Sequence, residues 1–229
     1  MRIVILTGAG VSAESGLGTF RDKDGLWTRY DLAEVATPEG FARDPAKVHD
    51  FYNARRANAQ SATHNAAHAA LCRLQASAHD VMLVTQNVDS LHEQAGSRDV
   101  VHMHGALSGA LCARCGDRWT APLAMSPTDL CPSCAAPATR PDIVWFGEMP
   151  YHMDAIHAAL LDADLFVAIG TSGTVYPAAG FVDIADGAGA DTLELNLEPS
   201  EARSAFADAR YGPASEIVPA WVDEIIARG

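Results

Sequence analysis

Four of the five cysteines fall between residues 112 and 134, as Cys112-x2-Cys115, fifteen residues, then Cys131-x2-Cys134. Two CxxC pairs at this spacing bring four thiolates within tetrahedral reach of one Zn²⁺. The surrounding stretch 106–140 is made of Cys, Pro, Gly and Arg with little apolar periodicity. Such a segment needs something other than a hydrophobic core to fold, which favours a metal over two disulfides or a chance spacing. Four sulfur ligands leave no position for water, so the expected zinc is structural, one per chain. Cys72, on an alanine-rich helix, is expected to act as a small buried hydrophobe.

The rest of the 229-residue chain, 48% hydrophobic and 20% charged overall, suits one domain of ordinary size with a small appendage. Twenty-nine acidic residues against sixteen basic ones give a formal charge of −13. That excludes a broad phosphate-binding surface, because nucleic-acid affinity rests on Lys and Arg displacing counterions. It is compatible with basic peptide partners. No stretch approaches the roughly 18 apolar residues of a membrane-spanning helix. Ile3-Val4-Ile5-Leu6 is too short for the apolar region of a signal peptide. A cytoplasmic protein that binds neither membrane nor nucleic acid is expected, and that address suits thiols that hold metal or stay reduced.

Apolar β-branched runs alternate with helical patterns along both halves of the chain. Arg2–Leu6, Val81–Thr85, Val100–Gly105, Leu165–Ile169 and Thr192–Leu195 read as strands. A helix is expected from Asp44-Pro45 to about Ala59, with Pro at its favoured first position. Another follows from His64 to about Ala76, capped by Thr63. Residues 18–40 show no sustained period and read as an ordered loop. Strand–helix alternation implies an α/β fold: a Rossmann-like parallel sheet with helices on both faces, with the cysteine segment as a small inserted domain. In such sheets ligands bind outside the carboxyl ends of the strands.

The polar residues of note sit at those ends. Gly8-Ala9-Gly10-Val11-Ser12-Ala13 matches G-x-G-x-x-[GA] straight after a strand, where glycines let the backbone approach a pyrophosphate at a helix N-terminus. A dehydrogenase of the usual kind shows a second strand ending in Asp or Glu about 20 residues on. Trp27-Thr28-Arg29-Tyr30-Asp31-Leu32 does not read as one. His104 ends the third strand beside Gln86-Asn87-Val88-Asp89 and is a candidate general base. His102 lies two residues before it and so faces the same side. Most of the nine histidines have plainer readings, with His64, His68, His152 and His157 in helices and His79 in a turn. Gly170-Thr171-Ser172 and Asn196, each after a strand, suit phosphate and ribose contacts as well as ordinary turns. No G-x-S-x-G signature is present to carry covalent hydrolysis.

In this order the motifs resemble those of the sirtuins, the NAD-dependent protein lysine deacylases. The resemblance runs through Gly8–Gly16, Phe20-Arg21, Thr85–Asp89, His102–Gly105, the four cysteines, Val144-Trp145-Phe146-Gly147-Glu148, Gly170–Ser172 and Leu195–Pro199. It departs at Gly18-Thr19, where many sirtuins carry Ile-Pro. The resemblance implies an NAD domain over 1–34, 80–105 and 141–229. It also implies a helical part of the small domain over 35–79, the zinc insert over 106–140, and a cleft between the two domains. His104 would be the base that deprotonates a ribose hydroxyl, with Asn87 and Asp89 ordering ribose and nicotinamide. The implied cofactor contacts are Gly8, Ala9, Gly10, Ser12, Ala13, Glu14, Phe20, Arg21, Trp27 and Gln86–Asp89, then Gly170, Thr171, Ser172, Asn196, Leu197, Glu198 and Ala214. Phe20, Arg21 and Trp27 would lie on a cofactor loop over 18–30. Residues 144–148, of which Val144, Phe146, Gly147 and Glu148 are the implied substrate contacts, would flank an extended substrate as an added strand. Residues 173–176, including Val175, would flank its other side.

Tyr52 and Arg55, three residues apart, share one face of the helix that starts near Pro45. On these residues alone, a solvated Arg beside a Tyr packed on the core is the favoured reading. The pair also resembles the Tyr-x-x-Arg of class III sirtuins, which bind succinyl- and malonyl-lysine, and Ala36 matches the small residue that widens their acyl pocket. The resemblance therefore implies deacetylation with desuccinylation and demalonylation, giving nicotinamide, O-acyl-ADP-ribose and free lysine. The alternatives are a mono-ADP-ribosyltransferase and a non-catalytic NAD-sensing module. Nicotinamide release with and without an acyl-lysine peptide separates them.

Overall fold

The runs around Ile3–Leu6, Leu83–Val84 and Phe166–Ile169 are buried on both faces, as parallel strands covered by helices on each side must be. The computed structural model describes residues 1–18 and 31–228. Phe20, Arg21, Trp27 and most of the expected cofactor loop lie outside the described residues.

The chain begins with β1 (Arg2–Thr7) and a 3-10 turn over Ala9–Ser15, and resumes with α1 (Leu32–Val35), α2 (Pro38–Arg43), α3 (Pro45–Ser61) and α4 (Ala66–Gln75). Next come β2 (Asp80–Thr85), α5 (Leu91–Gln94), β3 (Val101–His102), β4 (Gly105–Cys112), β5 (Arg118–Thr120) and β6 (Thr139–Ile143). The remainder is α6 (Met153–Asp162), β7 (Leu165–Ile169), α7 (Phe181–Gly187), β8 (Asp191–Asn196), β9 (Asp208–Tyr211) and α8 (Ala214–Arg228).

Six strands form one parallel sheet in the order β3-β2-β1-β7-β8-β9. Counted within the sheet this is 3-2-1-4-5-6, the doubly wound order whose direction reverses between its first and fourth strands. That switch point lies between β1 and β7. Period-2 alternation divides the strand side chains between two cores. Ile3, Ile5, Leu83, Val167 and Leu195 pack with Leu71 and Leu74 of α4 and Trp221, Val222 and Ile225 of α8. Val4, Leu6, Val84 and Phe166 pack with Ile156 and Leu160 of α6 and Phe181 and Val182 of α7.

A smaller unit holds the antiparallel sheet β5-β4-β6 and the helices α1–α3. Its core joins Val35, Ala36, Val48, Phe51 and Tyr52 to Leu107, Ile143 and Trp145. The start of α3 at Asp44-Pro45 is the expected one, and Thr37-Pro38, inside the stretch read as loop, starts a helix in the same way. Thr37 accepts from Gly40 N ahead of Pro38, and Asp44 accepts from Lys47 N ahead of Pro45.

Several expectations change. The stretch read as loop contains α1 and α2, too short to display an apolar period. α4 starts at Ala66 because Asn65, not Thr63, caps it: Asn65 accepts from Ala67 N, and His68 accepts from Asn65 N. His64 precedes the helix, and His152 is the cap of α6 rather than part of it. α4 lies in the sheet core against α8, so it packs with the large domain although 35–79 was assigned to the small one. The third strand stops at His102; His104 sits in the turn before β4. β9, with the sequence Asp-Ala-Arg-Tyr at the sheet edge, has no apolar run to announce it. Cys72 is half-buried rather than fully buried. No helix among the described residues is long and apolar enough to cross a membrane.

Candidate active site and metal centre

At the switch point two turns are locked together. Gly8 N donates to Ile169 O at 2.9 Å, Gly10 N to Gly170 O at 2.9 Å, and Gly170 N to Leu195 O at 2.9 Å. A Cβ on Gly10 would fall 2.7 Å from Gly170 Cα, and one on Gly170, whose φ is +64°, 2.4 Å from Val11 N. These glycines are thus required by each other before any ligand is considered. Gly8, Ala9, Gly10, Thr171 and Ser172 put no long side chain over the turn, and residues of this size fit the approach of an NAD pyrophosphate. Asn196 Nδ2 donates to the Thr171 carbonyl at 2.7 Å, tying the β8 end to the β7 turn. Leu197 and Glu198 beyond it are exposed, and Ser172 shares a hydrogen bond with Thr174. Glu14, expected near the cofactor, has both oxygens engaged, by Ser215 N at 2.8 Å and Ser215 Oγ at 2.7 Å. It anchors the start of α8 beside Ala214, where a negative charge is favourable. Ala13 is exposed on the same turn.

Beneath this turn a polar chain runs into the loop after β2. Asn65 N donates to His68 Nδ1 at 3.2 Å, so the hydrogen of His68 is on Nε2, directed at Ser12 Oγ 3.4 Å away. Ser12 Oγ donates to Asp89 Oδ2 at 3.3 Å and accepts from Asn87 Nδ2 at 3.2 Å. Asn87 Nδ2 also reaches Gly8 O at 3.1 Å, and Thr85 Oγ1 accepts from Asn87 N at 3.0 Å. Burial holds His68 neutral, at about 4, and His92, bonded to Thr7 Oγ1, at about 3. Burial pushes the Asp89 carboxyl up, opposed by hydrogen bonds from Leu91 N and Ser12. Nothing local to His68 points to this role. Its spacing marks it only as one residue of a helix, and its partner Ser12 is 56 positions away.

His102 and His104 both turn to carbonyls of that same loop, with opposite poise. His104 Nδ1 lies 3.2 Å from Gln86 O; a carbonyl only accepts, so the hydrogen is on Nδ1 and Nε2 keeps its lone pair. Burial lowers its pKa, which the Gln86 carbonyl partly offsets, leaving a neutral base. His102 places Nδ1 3.1 Å from Asn87 O and Nε2 2.7 Å from Glu93 Oε1. Burial alone would depress it, yet the Glu93 carboxylate outweighs that and raises it toward the imidazolium. Val88 O accepts from Leu107 N at 2.8 Å, fastening the loop to the small unit.

The segment 144–148 joins both sides. Val144 N donates to His104 O at 2.9 Å and Phe146 N to Ala36 O at 2.9 Å. Phe146 is exposed and Gly147 has φ +90°. The Glu148 carboxylate is engaged within the protein: it grips Arg140 at 2.7 and 2.9 Å and accepts from Trp145 N at 2.9 Å. Tyr52 and Arg55 do share a face, with the guanidinium carbon 5.7 Å from the Tyr52 ring centroid. Burial lowers the Arg55 pKa, while Tyr52 and Asp89 act to raise it. Val175 is half-buried in the turn following Gly173.

Cys112, Cys115, Cys131 and Cys134 meet as expected, all four sulfurs within 4.8 Å of one another. The Cys112–Cys134 and Cys115–Cys131 sulfurs are 3.7 Å apart. A tetrahedron with Zn–S bonds of about 2.3 Å has edges of about 3.8 Å, so the cluster fits the ion. The N–H groups of Cys115 and Arg114 lower the Cys112 thiol to about 7. Purified protein should therefore contain about one zinc per chain by elemental analysis. Chelation or Cys112→Ser should lower the unfolding temperature, because the ion supplies folding free energy to a segment poor in core. Metal-free protein with an unchanged unfolding transition would refute this.

The Sir2 family model matches residues 8–177. The chain is 58% identical over 233 residues to the NAD-dependent protein deacylase of Caulobacter vibrioides, covering 100% of this chain and 98% of that protein. It is 54% identical over 231 residues to the NAD-dependent protein deacylase of Escherichia coli K12, covering 98% of this chain and 82% of that one. A Sir2 homologue solved with NAD superposes with a TM-score of 0.90 at 39% identity, over 99% of this chain and 89% of that chain. A Sir2 homologue mutant bound to ADP-ribose gives 0.91 at 38% identity, over 99% and 92%. On the matched motifs, the shared fold and identity along the whole chain, this protein belongs to the Sir2 family.

Proposed function

We propose that the chain is an NAD-dependent protein-lysine deacylase that removes succinyl and malonyl groups at least as readily as acetyl. The observation that carries the reading is the neutral His104, poised beside the Gln86–Asp89 loop with its Nε2 lone pair free. NAD, when bound, supplies the ribose carbon attacked by the acyl oxygen with loss of nicotinamide, and the ribose hydroxyls that finally carry the acyl group. Gly8, Ala9 and Gly10 with Thr171 and Ser172 receive the pyrophosphate, and Asn196, Leu197, Glu198 and Ala214 lie on the adenosine side. Asn87 and Asp89, held by Ser12, orient ribose and nicotinamide. His104 Nε2 accepts the proton of a ribose hydroxyl. Phe20, Arg21 and Trp27 are the further cofactor contacts that the family resemblance implies. Val144, Phe146 and Gly147 on one side and Val175 on the other pair with the backbone of an extended peptide.

The acyl group enters toward Ala36, Tyr52 and Arg55, where a guanidinium and a phenol are suited to a terminal carboxylate. The formal charge of −13 favours basic target peptides. Reduced cysteines around the zinc suit a cytoplasmic setting. Relatives at 53–58% identity are named deacylases, which favours this reading over the transferase and sensor alternatives.

His104→Ala should cut turnover by about 10²–10⁴-fold, the usual share of a positioned base, while NAD still binds by calorimetry. The acid limb of kcat/KM should fall below the ordinary histidine value of 6.5, because a lowered pKa keeps the ring unprotonated further into acid. Near-normal turnover in His104→Ala would refute the assignment. Arg55→Met should lower the succinyl-to-acetyl ratio of kcat/KM by about 10–100-fold, the range of hydrogen bonds to a charged group. Equal losses on matched acetyl and succinyl peptides would make Arg55 structural only.

A further inference from the structure

A tyrosine hydroxyl both donates and accepts, so Tyr52 alone does not choose between an acyl group ending in a carboxylate and one ending in a donor. Its neighbours choose. Trp145 Nε1 donates to Tyr52 Oη at 3.0 Å, and an indole N–H has nothing to accept with. Arg55, over the same ring, is also a donor only. Among the described residues the Tyr52 hydroxyl therefore meets donors and no acceptor, although the side chain is only 1% exposed. A buried hydroxyl hydrogen without an acceptor is unfavourable, and a ligand oxygen removes that cost.

We infer that Trp145 is a positioning residue for acyl specificity. By occupying the acceptor side of the Tyr52 oxygen, it turns the hydroxyl hydrogen into the acyl pocket beside Arg55. The pocket then presents donors alone and selects an acyl group that ends in an anionic acceptor. This rests on the acidic-acyl reading above.

The indole has little freedom to do otherwise. Trp145 is 3% exposed, its ring 3.5 Å beneath the Arg140 guanidinium carbon and 5.2 Å from the ring of Phe41. Arg140 is itself fixed by both Glu148 oxygens and donates to Ile143 O at 2.8 Å. A cation over the π face also draws electron density from the indole, which strengthens its N–H as a donor. The same short segment thereby serves two ends. Its backbone joins Ala36 and His104, and its one tryptophan sets the polarity of the acyl pocket.

The test compares succinyl- and acetyl-lysine forms of one peptide with the zinc-loaded protein. Trp145→Phe keeps an aromatic ring under Arg140 and removes the N–H together with the five-membered ring, so a loss specific to the succinyl peptide is what reports the N–H. The succinyl-to-acetyl ratio of kcat/KM should fall about 10-fold, through KM rather than kcat, as a charged hydrogen bond loses its orientation. Tyr52→Phe should lower the same ratio, and adding Trp145→Phe to it should lower it no further. Equal losses on both peptides, or losses that multiply in the double variant, would overturn the role of Trp145. A parent that is active and Arg55-dependent on succinyl-lysine, yet indifferent to Trp145→Phe, would overturn this inference alone. A parent inert toward succinyl-lysine would overturn the acidic-acyl reading, and this inference with it.

Discussion

The backbone contact between Gly10 and Gly170 governs the rest of the site. Two strands that run side by side end in turns so close that neither admits a Cβ. Because β1 and β7 meet there, the chain after β1 is thrown across the strand ends and Ser12 comes to rest against Asn87 and Asp89. The sheet order places the switch point between these strands, and the glycines make its floor out of bare backbone. In the proposed function, pyrophosphate recognition is a by-product of packing: residues small enough for the turns to touch are also small enough for an anion to approach.

Around that floor, charge is distributed by burial more than by pairing. Four histidines lie under or beside the nucleotide-facing loops. His68 and His92 are stripped of charge by their burial. His104 is neutral for the same reason and keeps a lone pair directed away from its carbonyl partner. His102 alone gains charge, and does so because Glu93 answers it at 2.7 Å. Two residues apart in sequence, His102 and His104 do different work: one clamps the Asn87 carbonyl, the other is available for proton transfer.

The strands of the large sheet were legible because parallel strands buried on both faces must be continuous apolar runs. β9 was not, since an edge strand of Asp, Ala, Arg and Tyr satisfies no such rule. The four cysteines were readable because metal ligation imposes spacing along the chain as well as position in space. The helix start was readable where Pro follows Asp44, whereas the same pairing at Thr37-Pro38 was lost because α2 is too short to show a period, and Asn65 is hidden behind Thr63 because its partner is a histidine. Residues joined over long separations stayed invisible. Nothing local connects His68 to Ser12, or Trp145 to Tyr52 across 93 positions. The same limit hid the engagement of Glu14 with α8 and of Glu148 with Arg140, whose carboxylates looked available until their partners were in place.

In the proposed function, protein recognition and acyl choice meet in the small unit, where Ala36, Tyr52 and Trp145 share one core with Leu107 and Ile143 of its antiparallel sheet. The central claim is that this core presents donors to an anionic acyl terminus. Its most direct test replaces one atom group in the substrate and leaves the enzyme untouched. A succinyl-lysine peptide is compared with its terminal carboxamide, which matches it in size and shape but carries no charge and brings donors of its own. The account predicts a kcat/KM at least about 10-fold lower for the carboxamide, with the difference in KM. Equal values for the two peptides would contradict it.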